Sequence, residues 1–210
     1  MSAVTRLVLW RHGVTDWNEQ GLFQGRADIP LNDKGLAQAT AVAPVLAAMS
    51  PVAVYCSPMV RARQTAQPLA GLTGLTPVID DRLAEIDVGT WVGHSVRDVA
   101  VLDPAAGEAM MTGRDYRRSL TGETMTEVGL RVGACLRQMA LDHDGETVLI
   151  VSHGGAIRMG VVNMLGWTYE MASALGGMAN CAWSRLNRRS SGWRLDTYNC
   201  TAVPGVAQEI

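Results

Sequence analysis

Two short apolar runs constrain this chain more than anything else in it: RLVLW at residues 6–10 and TVLIV at residues 147–151, each followed at once by a histidine–glycine step, RHG in one case and SHGG in the other. Apolar runs of this length, rich in branched side chains and bounded by polar residues, are the signature of strands covered on both faces, as in a parallel sheet. In such sheets ligands sit just beyond the carboxyl ends of the strands. Arg11, His12 and Gly13 therefore stand where a site is built, and His153 and Gly154 stand at a second such place. Arginine offers a planar fork of donors matched to a phosphoryl group, and histidine is nucleophilic in its neutral form near neutral pH. Glycine lets the backbone approach a ligand closely, and a strand that passes through His-Gly-Gly into a helix presents backbone N–H groups to an anion.

The rest of the chain alternates strand and helix. After a glycine- and proline-marked loop, Asn32 is read as the cap of a helix that continues to residue 49, with Leu36, Ala39, Ala43, Leu46 and Ala47 on its apolar face and Pro44 expected to kink or shorten it. A strand at 52–56 leads into a helix capped by Ser57, with Pro58 at its first position, that carries Arg61, Arg63 and Thr65 to about residue 71. Residues 77–79 read as a short strand, 82–93 as irregular chain, and 95–102 as a short helix. Residues 103–122 show no clear period and are the natural lid or substrate-specificity insertion. Thr124 and Glu127 form a capping box for a helix to about residue 142; a second helix is expected at 156–165 after the strand at 146–151. The tail, 176–187 and 192–199 around a turn at 188–191, reads as an antiparallel hairpin. Together these predict an α/β chain, a three-layer sandwich with a mainly parallel sheet between helices, forming a single domain over residues 1–210.

Composition narrows the function. A net charge of −2 provides no general basic field, so a nucleic-acid partner is not expected and any anion site must be local. No segment has the apolar length of a membrane span or the pattern of a signal peptide. Cysteines 56, 135, 181 and 200 have neither metal-site spacing nor the density of a disulfide scaffold, which points to reduced thiols in the cytoplasm and to no metal. Glu85 is the best-placed carboxylate to protonate a leaving alcohol. By itself each group has an ordinary explanation: a satisfied histidine at a strand end, a solvated Arg61 or Arg63, a Glu85 paired with Arg82, a loop histidine at 94, and a surface histidine at 143. The repetition of the strand–His–Gly ending shifts the balance toward chemistry.

Six segments in order, WRHGVTDWN, LFQGRADIPLNDKGLAQA, CSPMVRARQTA, LAEIDVGTWVG, LTGETMTEV and VSHGGAIR, resemble the histidine phosphatase superfamily, the phosphoglycerate-mutase-like proteins. The resemblance implies that fold, a phosphoryl group taken up by His12 as phosphohistidine, and no cofactor. It implies binding of the phosphoryl group by Arg11, Arg61 and Asn18, completion of the pocket by His153, and proton donation by Glu85, with Gln24, Gly25 and Gly154 as further substrate contacts. Arg61 rather than Arg63 is selected by the pattern Ser-x-x-x-Arg-Ala-x-x-Thr-Ala, matched by Ser57, Arg61, Ala62, Thr65 and Ala66. The segment around Glu85 lacks the Arg-His and Tyr-Gly steps of the cofactor-dependent mutases and is similar to the phosphatase branch. The tail is similar to that of glucosyl-3-phosphoglycerate phosphatases. The implied reaction is hydrolysis of a small phosphomonoester, in a family that often forms homodimers; a mutase and a non-catalytic phospholigand-binding module are the alternatives.

Overall fold

The computed structural model describes residues 4–202. Its sheet has six strands: β1 (Arg6–Arg11), β2 (Ala53–Cys56), β3 (Val78–Ile79), β4 (Thr147–Ser152), β5 (Trp183–Arg189) and β6 (Gly192–Cys200), in the order β3-β2-β4-β1-β5-β6. The first four are mutually parallel, and β5 and β6 are antiparallel additions. All six side chains of β4 are buried, as the apolar run requires of a central strand. Along β1, Leu7 and Leu9 face one core with Val148 and Ile150, whereas Val8 and Trp10 face the other with Leu149 and Val151. Helices α6 (Met125–Asp142) and α7 (Gly154–Met164) cover the first face; α2 (Asp33–Ala47) and α3 (Val60–Thr73) cover the second. This is the mainly parallel three-layer arrangement expected. No helix among the described residues is long and apolar enough to cross a membrane.

The connections leaving β1 and β4 diverge. From β1 the chain crosses over β4 through α2 to reach β2, and from β4 it returns through α7 on the other face toward β5. A crevice opens where neighbouring parallel strands send their helices to opposite faces, which is the usual ligand position in open α/β sheets. Arg11 is paired with Ser152 in the register of β1 on β4, so the residues after both strands emerge together.

Several local expectations are corrected. Helix α2 is not cut short at Pro44 but continues through it to Ala47; Pro44 lies on the exposed face, beside exposed Thr40, whose carbonyl it has no N–H to meet. Its buried stripe is Gly35, Ala39, Val42, Ala43 and Leu46; Leu36 lies outside it at 41% exposure. Helix α3 starts at Val60, not after Ser57, and the Asp28 carboxylate accepts its first N–H at 2.5 Å. Helix α7 begins two residues early, with His153 as its N-cap. Residues 103–122 are partly regular: the chain forms α5 (Pro104–Thr112), capped by the Asp103 side chain and ended by Gly113 in the left-handed region, packed on α4 (Val96–Leu102). Asp103, Pro104 and Gly113 are helix start and stop signals, but the intervening stripe is only Ala106, Gly107 and Ala109, too small to register as a period. An unpredicted short helix α1 (Asp16–Glu19) is capped by Thr15. The tail is the expected hairpin, but its first strand spans 183–189 rather than 176–187, its second runs one residue further to Cys200, and the turn is confined to residues 190–191.

Candidate active site

Parallel pairing brings the residues that follow β1, β2 and β4 to one edge of the sheet. The rings of His12 and His153 have centroids 5.1 Å apart, and both are buried. The His12 loop is held by its backbone: its N–H donates to Ser152 at 3.0 Å, and its carbonyl accepts from the Cys181 N–H and from the Asn180 side chain. Next along the chain, the Gly13 N–H donates to Thr65 Oγ1 at 3.0 Å, tying the loop to α3. Gly13 is glycine for a reason other than room for a ligand. A Cβ there would lie 2.5 Å from the carbonyl oxygen of Gly35, so the loop and the start of α2 touch backbone to backbone.

At 2.7 Å, His12 Nδ1 faces the Gly13 carbonyl, which can only accept. The proton therefore sits on Nδ1 and the lone pair on Nε2, which has no hydrogen-bond partner among the described residues. Burial pushes His12 well below the usual histidine range, and the nearby Arg61 and Arg11 charges add to it. The ring is thus neutral, with its reactive nitrogen among cations.

Arg61 is fully buried, and its guanidinium donates to three groups: the carbonyls of Ala27 at 2.6 Å and Gly25 at 2.7 Å, and His153 Nδ1 at 3.2 Å. Two of its five N–H donors remain unspent. Burial lowers its pKa to about 10, which leaves it charged at neutral pH. Arg11 donates from Nη1 to the Met178 carbonyl, and its Nε is buried without a protein partner. Arg63 is exposed, 4.0 Å from Asp28 on the outer side of the same helix. Since an arginine N–H only donates, His153 Nδ1 must accept, and its Nε2–H is given to Ser57 Oγ at 2.7 Å. Both His153 nitrogens are therefore engaged within the protein; the ring reaches the site through Arg61. Burial is again the first cause that keeps His153 well below its ordinary range, followed by Arg61.

The helix N-terminus after β4 is already filled by a side-chain carboxyl group, that of Glu85. Glu85 Oε2 accepts the Gly155 N–H at 3.1 Å, while Oε1 accepts the N–H groups of Ala156 at 3.0 Å and Ile86 at 2.9 Å. The carboxylate expected as proton donor thus occupies the seat expected for phosphate, and the bareness of Gly155 makes this possible, since a Cβ there would lie 2.8 Å from Oε1. Gly154 gives room to Arg11 Nε in the same way.

Of the remaining residues expected to contact substrate, Asn18, Gln24 and Gly25, the first and last are engaged within the protein. Asn18 Oδ1 is used three times, by the Thr15 N–H and hydroxyl and by Asn180 Nδ2, which leaves its own Nδ2 as the donor for a ligand. Gly25 contributes a carbonyl to Arg61, and the neighbouring Gln24 is buried with Oε1 unpartnered. His94 lies in a loop, and His143 caps the end of α6 with its ring between Tyr55 and Glu146. No group of three or more His, Cys, Asp or Glu among the described residues is placed to hold a metal ion. Ser57 and Asn180 were not foreseen as parts of the site. The signal for Ser57 was present, a hydroxyl at the carboxyl end of a buried strand, but it reads equally well as a helix cap.

The arrangement can neutralise a dianion with two guanidinium groups, present an unprotonated nitrogen to it, and move a proton at a carboxylate. Comparison with known proteins points the same way. The profile of the Histidine phosphatase superfamily (branch 1) matches residues 7–201. A glucosyl-3-phosphoglycerate phosphatase of Mycolicibacterium vanbaalenii is 33% identical over 219 residues, covering 95% of this chain and 96% of the relative. A metal-independent phosphoserine phosphatase of Arabidopsis thaliana is 34% identical over 201 residues, covering 94% and 82%. Among solved structures, mycobacterial glucosyl-3-phosphoglycerate phosphatase in complex with VO3 superposes with a TM-score of 0.86 at 33% identity, covering 93% of this chain and 99% of that one.

Proposed function

Because this chain belongs to the histidine phosphatase superfamily, branch 1, we propose that it hydrolyses a small phosphomonoester in two displacements through a phosphohistidine at His12, without a metal. The observation that carries this reading is the His12 ring itself: its Nδ1–H is committed to the Gly13 carbonyl, its Nε2 lone pair has no protein partner among the described residues, and the charges of Arg61 and Arg11 act on the ring. The phosphoryl group docks on the unspent donors of the two guanidinium groups and on Asn18 Nδ2. His12 Nε2 forms the new bond to phosphorus as the ester P–O bond breaks, and the departing oxygen takes a proton from Glu85.

Glu85 Oε1 already accepts two N–H groups and Oε2 only one, so Oε2 is the atom with room to carry that proton. In the second displacement water attacks phosphorus, Glu85 Oε2 removes its proton, and the N–P bond electrons return to Nε2. Phosphate leaves, and both side chains regain their starting states. His153 acts by fixing Arg61, whose guanidinium it holds in register with the carbonyls of Gly25 and Ala27.

We take glucosyl-3-phosphoglycerate as the leading substrate, on the strength of the relatives named above and of the similar tail, and the cytoplasm as the location, on the strength of four free cysteines. Residues 103–122, including α5, are the segment proposed to meet the non-phosphate end. The test is phosphate release, compared by kcat/KM, across glucosyl-3-phosphoglycerate, 3-phosphoglycerate, phosphoserine, sugar phosphates and nucleotides, with acid-labile phosphoprotein trapped from wild type and His12→Ala. A preference for the first ester and label only on wild type support the reading. Wild-type turnover in His12→Ala would sink the mechanism, and a flat profile would sink the substrate assignment.

A further inference from the structure

Resting on the assignment of Glu85 as the proton-transfer group, we propose that Arg131 is a positioning residue that sets Glu85 on the amides of α7, with Glu123 as its counter-carboxylate. Arg131 lies in the second turn of α6, with its side chain 18% exposed. It uses every donor it has. Nη1 donates to the carbonyls of Arg82 at 2.9 Å and Ala84 at 2.7 Å; Nη2 donates to the carbonyl of Glu85 at 3.0 Å and to Glu123 Oε2 at 2.9 Å; Nε donates to Glu123 Oε1 at 2.8 Å. A guanidinium has five N–H groups, so the side chain is saturated by one strap of chain and one carboxylate.

The strap is residues 82–87, and it is clamped from both sides. Arg131 holds three of its carbonyls, while Glu123 accepts the Asp87 N–H at 2.9 Å through its side chain and donates its own N–H to the Asp87 carbonyl at 2.8 Å. Burial opposes charge on Glu123, yet Arg131, the Asp87 amide and Arg26 hold its carboxyl below the usual range, so the clamp stays an ion pair. Glu85 has only its short side chain between this clamped backbone and the Gly155 and Ala156 amides. Where the strap sits therefore decides where Oε1 and Oε2 sit. Arg131 touches no reacting atom; it acts through Glu85. Glu123 also closes the 103–122 segment, since its carbonyl accepts the Arg118 N–H at 3.0 Å, so the clamp joins the proton donor to the segment proposed to meet the substrate.

Arg131→Lys tests this, because a lysine has three donors on one nitrogen and cannot span three carbonyls and both carboxylate oxygens. A misplacement of about 1 Å at a reacting group costs on the order of 100-fold. The kcat/KM of an alkyl phosphate, which reports the first displacement alone, should fall by that order, while the kcat/KM of nitrophenyl phosphate, whose leaving group needs little protonation, should stay within about threefold of wild type. Amide exchange at Gly155 and Ala156 should quicken in the same variant, a readout that needs no turnover. Equal losses on both esters with unchanged Gly155 and Ala156 exchange would overturn the inference. Should Arg131→Lys not fold, Glu123→Gln, which removes the counter-charge and keeps the side chain's shape, should give the same split; an unchanged ester ratio there would overturn it equally. If the wild type releases phosphate from no ester, the proposed function falls, while the amide exchange still decides whether Arg131 seats Glu85.

Discussion

The two buried histidines should make this fold acid-sensitive well above the range in which its carboxylates titrate. In the unfolded chain each His12 and His153 ring binds a proton below pH of about 6.5. In the folded chain both are held well below that value, first by burial and then by Arg61 and its neighbours. Protonating His153 at Nδ1 would also break its bond from Arg61 Nε, and protonating His12 at Nε2 would set a cation beside two guanidinium groups. Below pH 6.5 the unfolded state therefore binds more protons than the native state, and stability, fully present above that pH, falls as pH falls. At pH 5.5 the loss relative to neutral pH is about 1.4 kcal/mol for each ring and ~3 kcal/mol for both, out of a total of roughly 5–15 kcal/mol for a typical domain. With a urea m-value near 3 kcal/mol/M, the unfolding midpoint should drop by about 1 M between pH 7.5 and pH 5.5. Urea titrations at a series of pH values measure it, and His12→Asn should lose about half of the pH dependence. A midpoint that does not move over this interval, or that moves equally in His12→Asn, would refute the reasoning.

Three further outcomes follow from single contacts. Gly155→Ala replaces a helical glycine, worth about 1 kcal/mol of stabilisation, but puts a Cβ against Glu85 Oε1, so melting temperature should hold or rise while alkyl phosphate turnover drops on the order of 100-fold. Ser57→Ala leaves the buried His153 Nε2–H without an acceptor and should cost about 1–3 kcal/mol, seen as a lower thermal midpoint; an unchanged midpoint would contradict the tautomer assigned to His153. Arg61→Ala should reduce the rate of phosphate release by roughly 100 to 1000-fold, and Arg63→Ala, which removes an exposed charge 4.0 Å from Asp28, should leave it near wild type.

Much of the scaffold was legible because its causes are local. The buried runs ending at Arg11 and Ser152, the capping box of Thr124 and Glu127, and the alternating tail each encode their own conformation within a few residues, and each forms close to where it was expected. Two expectations at the site failed because a group had two uses of similar worth. Ser57 caps a helix in the local reading, but His153, 96 residues away in the chain, takes its hydroxyl. The glycine-rich start of α7 does form an anion seat, but Glu85 fills it.

Periodicity and resemblance were enough to bring His12, His153, Arg61 and Glu85 forward as one set, since the two histidines follow recognisable strands, Arg61 stands in the first turn of a helix, and Glu85 lies in the irregular chain beyond the short strand β3. What only the tertiary structure decided is how their hydrogen bonds are spent: which nitrogen of each histidine holds a proton, which arginine donors remain open, and that Arg131 saturates itself on the strap beneath Glu85. Arg131 falls beside the buried stripe of α6, where a long charged side chain reads as solvated surface. The physical reason is that a sequence pattern reports which face of an element meets the core, whereas a hydrogen bond is chosen among all groups the topology brings within 3 Å, and here the crossing of β1 and β4 into opposite layers makes that choice.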